Sequence, residues 1–309
     1  MINEEKYLFR FVPTMRCNFN CSYCFEGDSS KRPKETMFDM HSPEEWIKAM
    51  EQFSDKKIEI YMWGGEPFLL DGTYTVLKEW MAMEHVLSGC RIDTNVFFAD
   101  KIAERCPSDK IKLNCSYHMQ YHTLQQQFEK MKKLKDLDMV GMMNFVASEY
   151  NIKKLHEDYN MTVHDLIDKF AEIGVFVNIA GDFAYANNSN YERHDEYMKF
   201  ILQFISPEEW EYLRGGMHRC KCDAGKHFFT VNYDGRLTSC IDNGVYGDFF
   251  KGIVKPAKRS KKCCGNCQSL ISYPWRQDND LIPWSSLLEY VKRCEEYRMT
   301  QSEKIDFIF

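Results

Sequence analysis

The chain has 309 residues, enough for one large domain and a small annex, and its 44% hydrophobic and 28% charged residues exclude global disorder. A formal charge of −6 at pH 7 excludes a general electrostatic pull toward nucleic acid or an anionic membrane. The longest uncharged apolar stretch, Met139–Ser148, is too short to span a bilayer, and the N-terminus lacks a signal segment. A soluble cytoplasmic protein is therefore expected, with neither nucleic acid nor membrane among its partners.

In chain order, Tyr7–Val12 reads as a strand. Pro43–Phe53 reads as a helix with Ser42 as N-cap, Pro43 at the first helical position and acidic residues in the first turn. Ile58–Met62 is a strand, Tyr74–Val86 a helix, Cys90–Val96 a strand, Lys101–Arg105 a short helix and Ile111–Tyr117 a strand. Thr123–Leu137 is a helix, since Leu124, Phe128, Met131 and Leu134 recur at helical intervals. Met139–Ala147 is a buried strand, Val163–Ile173 a helix and Val175–Ala180 a sixth strand. Six alternating units imply a parallel sheet, because parallel neighbours need helical crossovers. Periodicity leaves an open doubly wound sheet and a partial barrel equally available.

Two helical stretches follow, Glu196–Ile205 and Pro207–Leu213, and Gly215-Gly216 marks a domain boundary. Beyond it the texture turns to Gly, Cys and short strands, His227–Asn232 and Arg236–Ser239 flanking a hairpin turn at Asp234-Gly235. A last helix carries Trp284, Leu287, Leu288, Val291 and Cys294 on one face. The expected domains are 1–215, 216–283 and a C-terminal helix and tail at 284–309.

Thirteen cysteines are many for a protein expected in a reducing compartment, where clustered thiols bind metal or do redox chemistry rather than pair as disulfides. Cys17-Asn-Phe-Asn-Cys21-Ser-Tyr-Cys24 follows the first strand directly. Three thiolates so spaced can hold three irons of a 4Fe–4S cluster and leave the fourth iron open. Zinc would need a fourth ligand, and no His lies in this loop.

The CxxxCxxC spacing, its place after the first strand, and Tyr23 before the third Cys resemble the radical S-adenosylmethionine (SAM) superfamily. Trp63-Gly64-Gly65-Glu66-Pro67, ending the second strand, is similar to that family's Gly-Gly-Glu motif. The resemblance implies that Gly64 and Gly65 let backbone approach SAM, that Glu66 contacts its amino group, and that Tyr23 and Pro67 belong to the same cofactor site. Asp93-Thr94-Asn95 resembles the family's Thr-Asn-Gly with Val96 in place of Gly, and Ser116 sits where the family often places a Ser touching SAM. The resemblance covers roughly residues 5–185 and implies a partial (β/α)6 TIM-like barrel. It further implies reductive cleavage of SAM to a 5′-deoxyadenosyl radical, which abstracts hydrogen from the substrate.

Cys222-Asp-Ala-Gly, Cys240 eighteen positions on, and Cys264-Gly-Asn-Cys267 resemble the Twitch domain, a shortened SPASM module that follows the barrel in many radical SAM enzymes. The implied set is one auxiliary 4Fe–4S cluster on Cys222, Cys240, Cys264 and Cys267 in a small Cys-rich α+β domain, with Cys220 and Cys263 as competing ligands. Four Cys with a CxxC also form a zinc-ribbon pattern.

Weaker features complete the reading. Tyr117 ends the fourth strand, His118 and His122 follow it at a barrel mouth, and all three are candidates for substrate contact, although the stretch lacks the Glu of a zincin. Cys115 could donate hydrogen to a substrate radical, and a buried structural Cys is the alternative. Lys255–Lys262 reads as a solvated basic loop. The expected function is radical SAM chemistry on a small molecule (a sugar, aminocyclitol or amino acid), with the auxiliary cluster as electron conduit and a flavodoxin or ferredoxin as donor. A maturase of a ribosomally made peptide and a zinc-stabilised, non-catalytic binding module are the alternatives.

Overall fold

The computed structural model describes residues 6–24, 26–182, 185, 189–190, 192–207, 210, 221–239, 244–259, 261–262 and 287–309, with backbone only at 221–222 and 261–262. Cys220, Cys240, Cys263, Cys264, Cys267, Trp284 and most of the Pro207–Leu213 stretch lie outside the described residues.

Strands β1 (Lys6–Phe11), β2 (Lys57–Met62), β3 (Cys90–Thr94), β4 (Ile111–Tyr117), β5 (Val140–Ala147) and β6 (Val177–Gly181) stand side by side in sequence order, all parallel. The order never reverses, so no switch point of a doubly wound sheet exists among them. This is the partial (β/α)6 barrel. Its crossovers carry α1 (Pro43–Glu51), α2 (Asp71–Ala82), α3 (Ala99–Arg105), α4 (Leu124–Asp136), and the pair α5 (Glu149–Tyr159) and α6 (Val163–Ala171).

Local chemistry accounts for the helix starts. Ser42 and Glu45, Thr123 and Gln126, and Thr162 and Asp165 each close a reciprocal capping box. Two departures from the sequence reading have plain causes. The second helix runs Asp71–Ala82, not to Val86, because the chain turns extended at Met83 and Val86 bridges Ile58. Helix α5 was not anticipated, since its buried residues are only Asn151, Ile152 and Leu155, too short an apolar stripe for a helical period.

After α7 (His194–Leu202), β7 (Lys221–Cys222) pairs with the later β12 (Lys261–Lys262). Between them β8 (Phe228–Val231), β9 (Arg236–Thr238), β10 (Val245–Asp248) and β11 (Ile253–Val254) join the barrel sheet through a parallel pairing of β8 with β1. The Asp234-Gly235 turn is present, with Gly235 at φ +83°. Phe229 and Phe249 pack into the same buried cluster as Phe9, Phe11, Trp46 and Phe53. Strands β8–β11 thus share sheet and core with the barrel, while β7 and β12 form a separate two-stranded sheet.

Helix α8 (Leu287–Met299) returns to the barrel. Its buried stripe is Leu287, Tyr290 and Cys294, and Leu288, expected on that face, is exposed. Leu287 lies over Gly141, where any Cβ would stand 2.3 Å from its Cδ2.

Candidate active site

The inward faces of the strands and the loops after them enclose a cavity of about 1070 Å³. That exceeds what one drug-sized ligand fills, so the space admits a cofactor and a second molecule. Side chains alternate along a strand, so in β2, β4 and β5 one parity reaches the cavity, Tyr61 and Trp63, Asn114 and Ser116, Asn144 and Val146, with Arg91 and Asp93 of β3 level with them.

Cys17, Cys21 and Cys24 are half-buried at its edge, none in a disulfide. Each sulfur has a nitrogen in reach. The Phe19 N–H approaches Cys17 Sγ at 3.4 Å, Arg32 Nη2 donates to Cys24 Sγ at 3.0 Å, and His118 Nδ1 lies 3.3 Å from Cys21 Sγ. The loop is held from the far side by Tyr121, whose ring stacks on Phe19 at 4.0 Å and whose hydroxyl accepts from the Asn20 N–H at 2.7 Å. Burial, then the neighbouring Cys24 and Cys17 sulfurs, push the Cys21 thiol up to about 12. Three neighbouring sulfurs, each with a nitrogen in reach, suit a shared cationic group that would favour all three as thiolates. No three His, Cys, Asp or Glu among the described residues converge on a point fit for a single metal ion.

The Gly-Gly-Glu segment meets this loop directly. The Gly65 N–H donates to Thr14 O at 3.0 Å and the Glu66 N–H to Arg16 O at 2.9 Å. A Cβ on Gly64 would stand 2.3 Å from Thr14 O, and one on Gly65 2.1 Å from Arg16 O. The glycines therefore let the backbone leading into Cys17 lie against the end of β2, while both also line the cavity.

Glu66 is fully buried and is not among the residues lining the cavity. Its Oε1 accepts from the Phe68 N–H at 3.1 Å and the Thr94 hydroxyl at 2.9 Å, and its Oε2 from the Asn95 N–H at 2.7 Å. The carboxylate expected at the cofactor instead ties the ends of β2 and β3 together. Pro67 is likewise buried, opening a one-turn helix whose Pro67 carbonyl accepts from Thr73.

Burial lifts the Glu66 carboxyl from 4.5 to about 7, against the pull of its three hydrogen bonds. A carboxyl raised on folding contributes stability present in full below its unfolded value and lost as pH rises through the folded one. Between pH 4.5 and 7.5 the protein should thus lose about 3 kcal/mol that a Glu66→Gln variant does not lose. Urea denaturation of both proteins across that range checks this, and parallel profiles would refute it.

Of the other anticipated residues, Tyr23, Asn95, Ser116 and His118 line the cavity. Asn95 Nδ2 donates to Asn18 Oδ1 at 2.8 Å and points toward Cys17 Sγ at 3.8 Å. Val96, in the place of the family's Gly, is buried at φ +52°, a left-handed conformation unusual for a β-branched residue. His118 shares its Nδ1 with the Tyr23 hydroxyl at 3.0 Å, and burial lowers it to about 4. It is engaged with the cysteine loop.

Three expectations are corrected by strand parity and packing. Cys115 and Tyr117 lie on the opposite parity, in the apolar core beneath the helices. A hydrogen donor there faces no substrate, and burial raises the Cys115 thiol further from ionisation. His122 is buried behind the loop, bonded to Gln127 Oε1 at 3.1 Å and Lys130 Nζ at 3.0 Å, and lines no part of the cavity.

The sequence reading missed a belt of polar side chains across the barrel interior. Tyr290 donates to Asn178 Oδ1 at 3.0 Å, Asn178 to Asn144 Oδ1 at 2.7 Å, Asn144 to Asn114 Oδ1, and Asn114 to Asp93 Oδ1 at 2.9 Å. Asp93 also receives Arg91 Nε at 2.7 Å, Arg91 Nη2 at 3.0 Å and the Tyr61 hydroxyl at 3.0 Å. Asp93 and Asn114 lie two residues before Asn95 and Ser116 on the same inward face, so the belt forms a layer below them. Lone Asn residues in three separate strands gave no sign of this.

The sequence model of the radical SAM superfamily matches residues 11–201, more than half of the chain. No curated protein matches it. Among solved structures, Streptococcus suis SuiB bound to S-adenosylmethionine is similar at 15% identity and TM-score 0.49, over 80% of this chain and 64% of that one. The tagged anSMEcpe with bound AdoMet is similar at 14% identity and TM-score 0.49, over 97% of each chain. BtrN in complex with AdoMet and 2-DOIA gives 14% identity and TM-score 0.37, over 81% of this chain and 80% of that one.

Proposed function

Because the chain belongs to the radical SAM superfamily and is an enzyme, we propose that it uses SAM to begin radical chemistry on a small molecule: a sugar, an aminocyclitol or an amino acid. The observation that carries this reading is the placement of Cys17, Cys21 and Cys24, each sulfur within reach of a nitrogen, at the edge of a cavity roomy enough for SAM and a substrate. These three Cys would hold a 4Fe–4S cluster with one iron left for SAM. When bound, the cluster supplies the electron that cleaves SAM to a hydrogen-abstracting 5′-deoxyadenosyl radical. The chain's own part is positional. Tyr23, Gly64, Gly65, Asn95 and Ser116 border the space beside the thiols and would seat SAM there. Glu66 fixes the ends of β2 and β3 that carry Gly64, Gly65 and Asn95. A flavodoxin or ferredoxin would deliver the electron.

A second, auxiliary 4Fe–4S cluster on Cys222, Cys240, Cys264 and Cys267 belongs to the same proposal, as an electron conduit and a staple. Its support is the pairing of Cys222 with Lys261, which sets the run leading into Cys264 beside Cys222. Replacing Cys240 by Ala should remove about half of the iron, four of eight atoms, while dithionite-driven formation of 5′-deoxyadenosine persists. It should also speed proteolysis beyond Gly216, because metal binding is part of that region's folding energy. An unchanged iron content in the variant, or about four irons in the unaltered protein, would refute the auxiliary cluster.

A further inference from the structure

The belt across the barrel interior has a direction and unspent capacity. From Tyr290 inward every donor points the same way, ending on the Asp93 carboxylate, whose charge Arg91 neutralises by two hydrogen bonds. An Asn side chain offers two N–H donors and two acceptor lone pairs. Asn114, Asn144 and Asn178 each spend one of each on the belt, so each still presents one donor and one acceptor, and all three line the cavity. They stand on adjacent strands, which repeat at about 4.8 Å. Among the described residues, the charged groups lining the cavity on β2–β6 are Arg91 and Asp93, bonded to each other, and the eight other charged lining residues stand beyond the strand ends, on the cysteine loop and the segment after it, on α5, and at Asp182.

Resting on the reading of this cavity as the place of radical SAM chemistry, we infer that the Asn114–Asn144–Asn178 row is its substrate-recognition surface and selects a neutral polyhydroxylated molecule. An apolar occupant would leave up to six buried hydrogen-bonding positions unpaired. A carboxylate or ammonium would meet neutral amides with no free counter-charge on these strands, at a desolvation cost. A hydroxyl donates and accepts from one atom, so hydroxyls on alternate ring carbons can complete successive Asn side chains. A peptide group directs its N–H and C=O to opposite sides and meets the row less fully.

The test is saturation-transfer NMR on the iron-loaded protein with SAM, using myo-inositol as the neutral polyol, glucuronate as a charged analogue and N-acetylalanine methylamide as a neutral peptide. Myo-inositol should bind, and Asn144→Leu and, separately, Asn178→Ser should weaken it at least tenfold, with iron content and thermal midpoint verifying that both variants fold. Absence of myo-inositol binding to the unaltered protein, equal binding by both folded variants, or a peptide or glucuronate signal that is the one lost in the variants would overturn the inference. Binding is read without SAM cleavage. Failure to form 5′-deoxyadenosine alongside retained, Asn-dependent polyol binding would therefore sink the proposed activity and not the recognition surface.

Discussion

Replacing Cys17, Cys21 and Cys24 together by Ala is expected to abolish 5′-deoxyadenosine formation, a loss of at least about a thousandfold, as expected when the group that carries the hard chemistry is removed. The expectation rests on the division of labour within the site. The side chains around the cavity position and enclose, and none of them can deliver an electron to a sulfonium. The fold should survive the change. The three thiols are half-buried in a loop whose anchors are the Tyr121 contacts to Phe19 and Asn20 and the Thr14 and Arg16 carbonyls, none of which is altered. Iron should fall by about four atoms per chain, with the remainder on the auxiliary set. Product chromatography after anaerobic reduction with dithionite decides the matter. A near-normal rate in the triple variant would remove these cysteines from the chemistry.

The second large effect belongs to a residue with no functional group. Gly65→Ala puts a methyl 2.1 Å from Arg16 O and 2.4 Å from Met15 O. Both are backbone atoms, so no rotamer change relieves the overlap. The loop carrying Cys17 must move off β2, breaking the hydrogen bonds from Gly65 and Glu66 to Thr14 and Arg16. A cost of about 3 kcal/mol or more follows, together with poor iron loading, because the first cysteine of the set would be displaced. Gly89→Ala serves as the contrast. Gly89 has φ +89° with nothing within 4 Å of a new Cβ, so only the left-handed backbone is penalised, at roughly 1–2 kcal/mol. Thermal melts and iron analysis of the two variants separate the effects. Equal melting and equal iron would mean that Gly65 is not a packing requirement.

The two predictions divide the molecule along the line between what is local in the chain and what is not. CxxxCxxC is a contiguous pattern, and three thiols within eight residues come together whatever the rest of the chain does. The capping boxes at Ser42, Thr123 and Thr162 are equally local, and the helices begin where those side chains can bond the first free N–H groups. Strand direction follows almost as directly, because helical crossovers join parallel neighbours, whereas strand order waited on the tertiary structure, since periodicity left a doubly wound sheet and a partial barrel equally available. Phase did not follow. In β4 polar Lys112, Asn114 and Ser116 alternate with Ile111, Leu113, Cys115 and Tyr117, but every residue except Ser116 is buried, and a strand covered on both faces does not declare which parity meets the cavity and which meets the helices. For that reason Cys115 and Tyr117 could be read as site residues, although they lie beneath the helices. The packing role of Gly64 and Gly65, as a bed for the cysteine loop, also waited on a contact between segments some fifty residues apart. The Asn belt is the extreme case. Asn114, Asn144 and Asn178 are unremarkable one at a time, and only the register of three adjacent parallel strands brings their amides within hydrogen-bonding distance. Register is fixed by the packing of the whole barrel, a cooperative property that no stretch of sequence holds by itself.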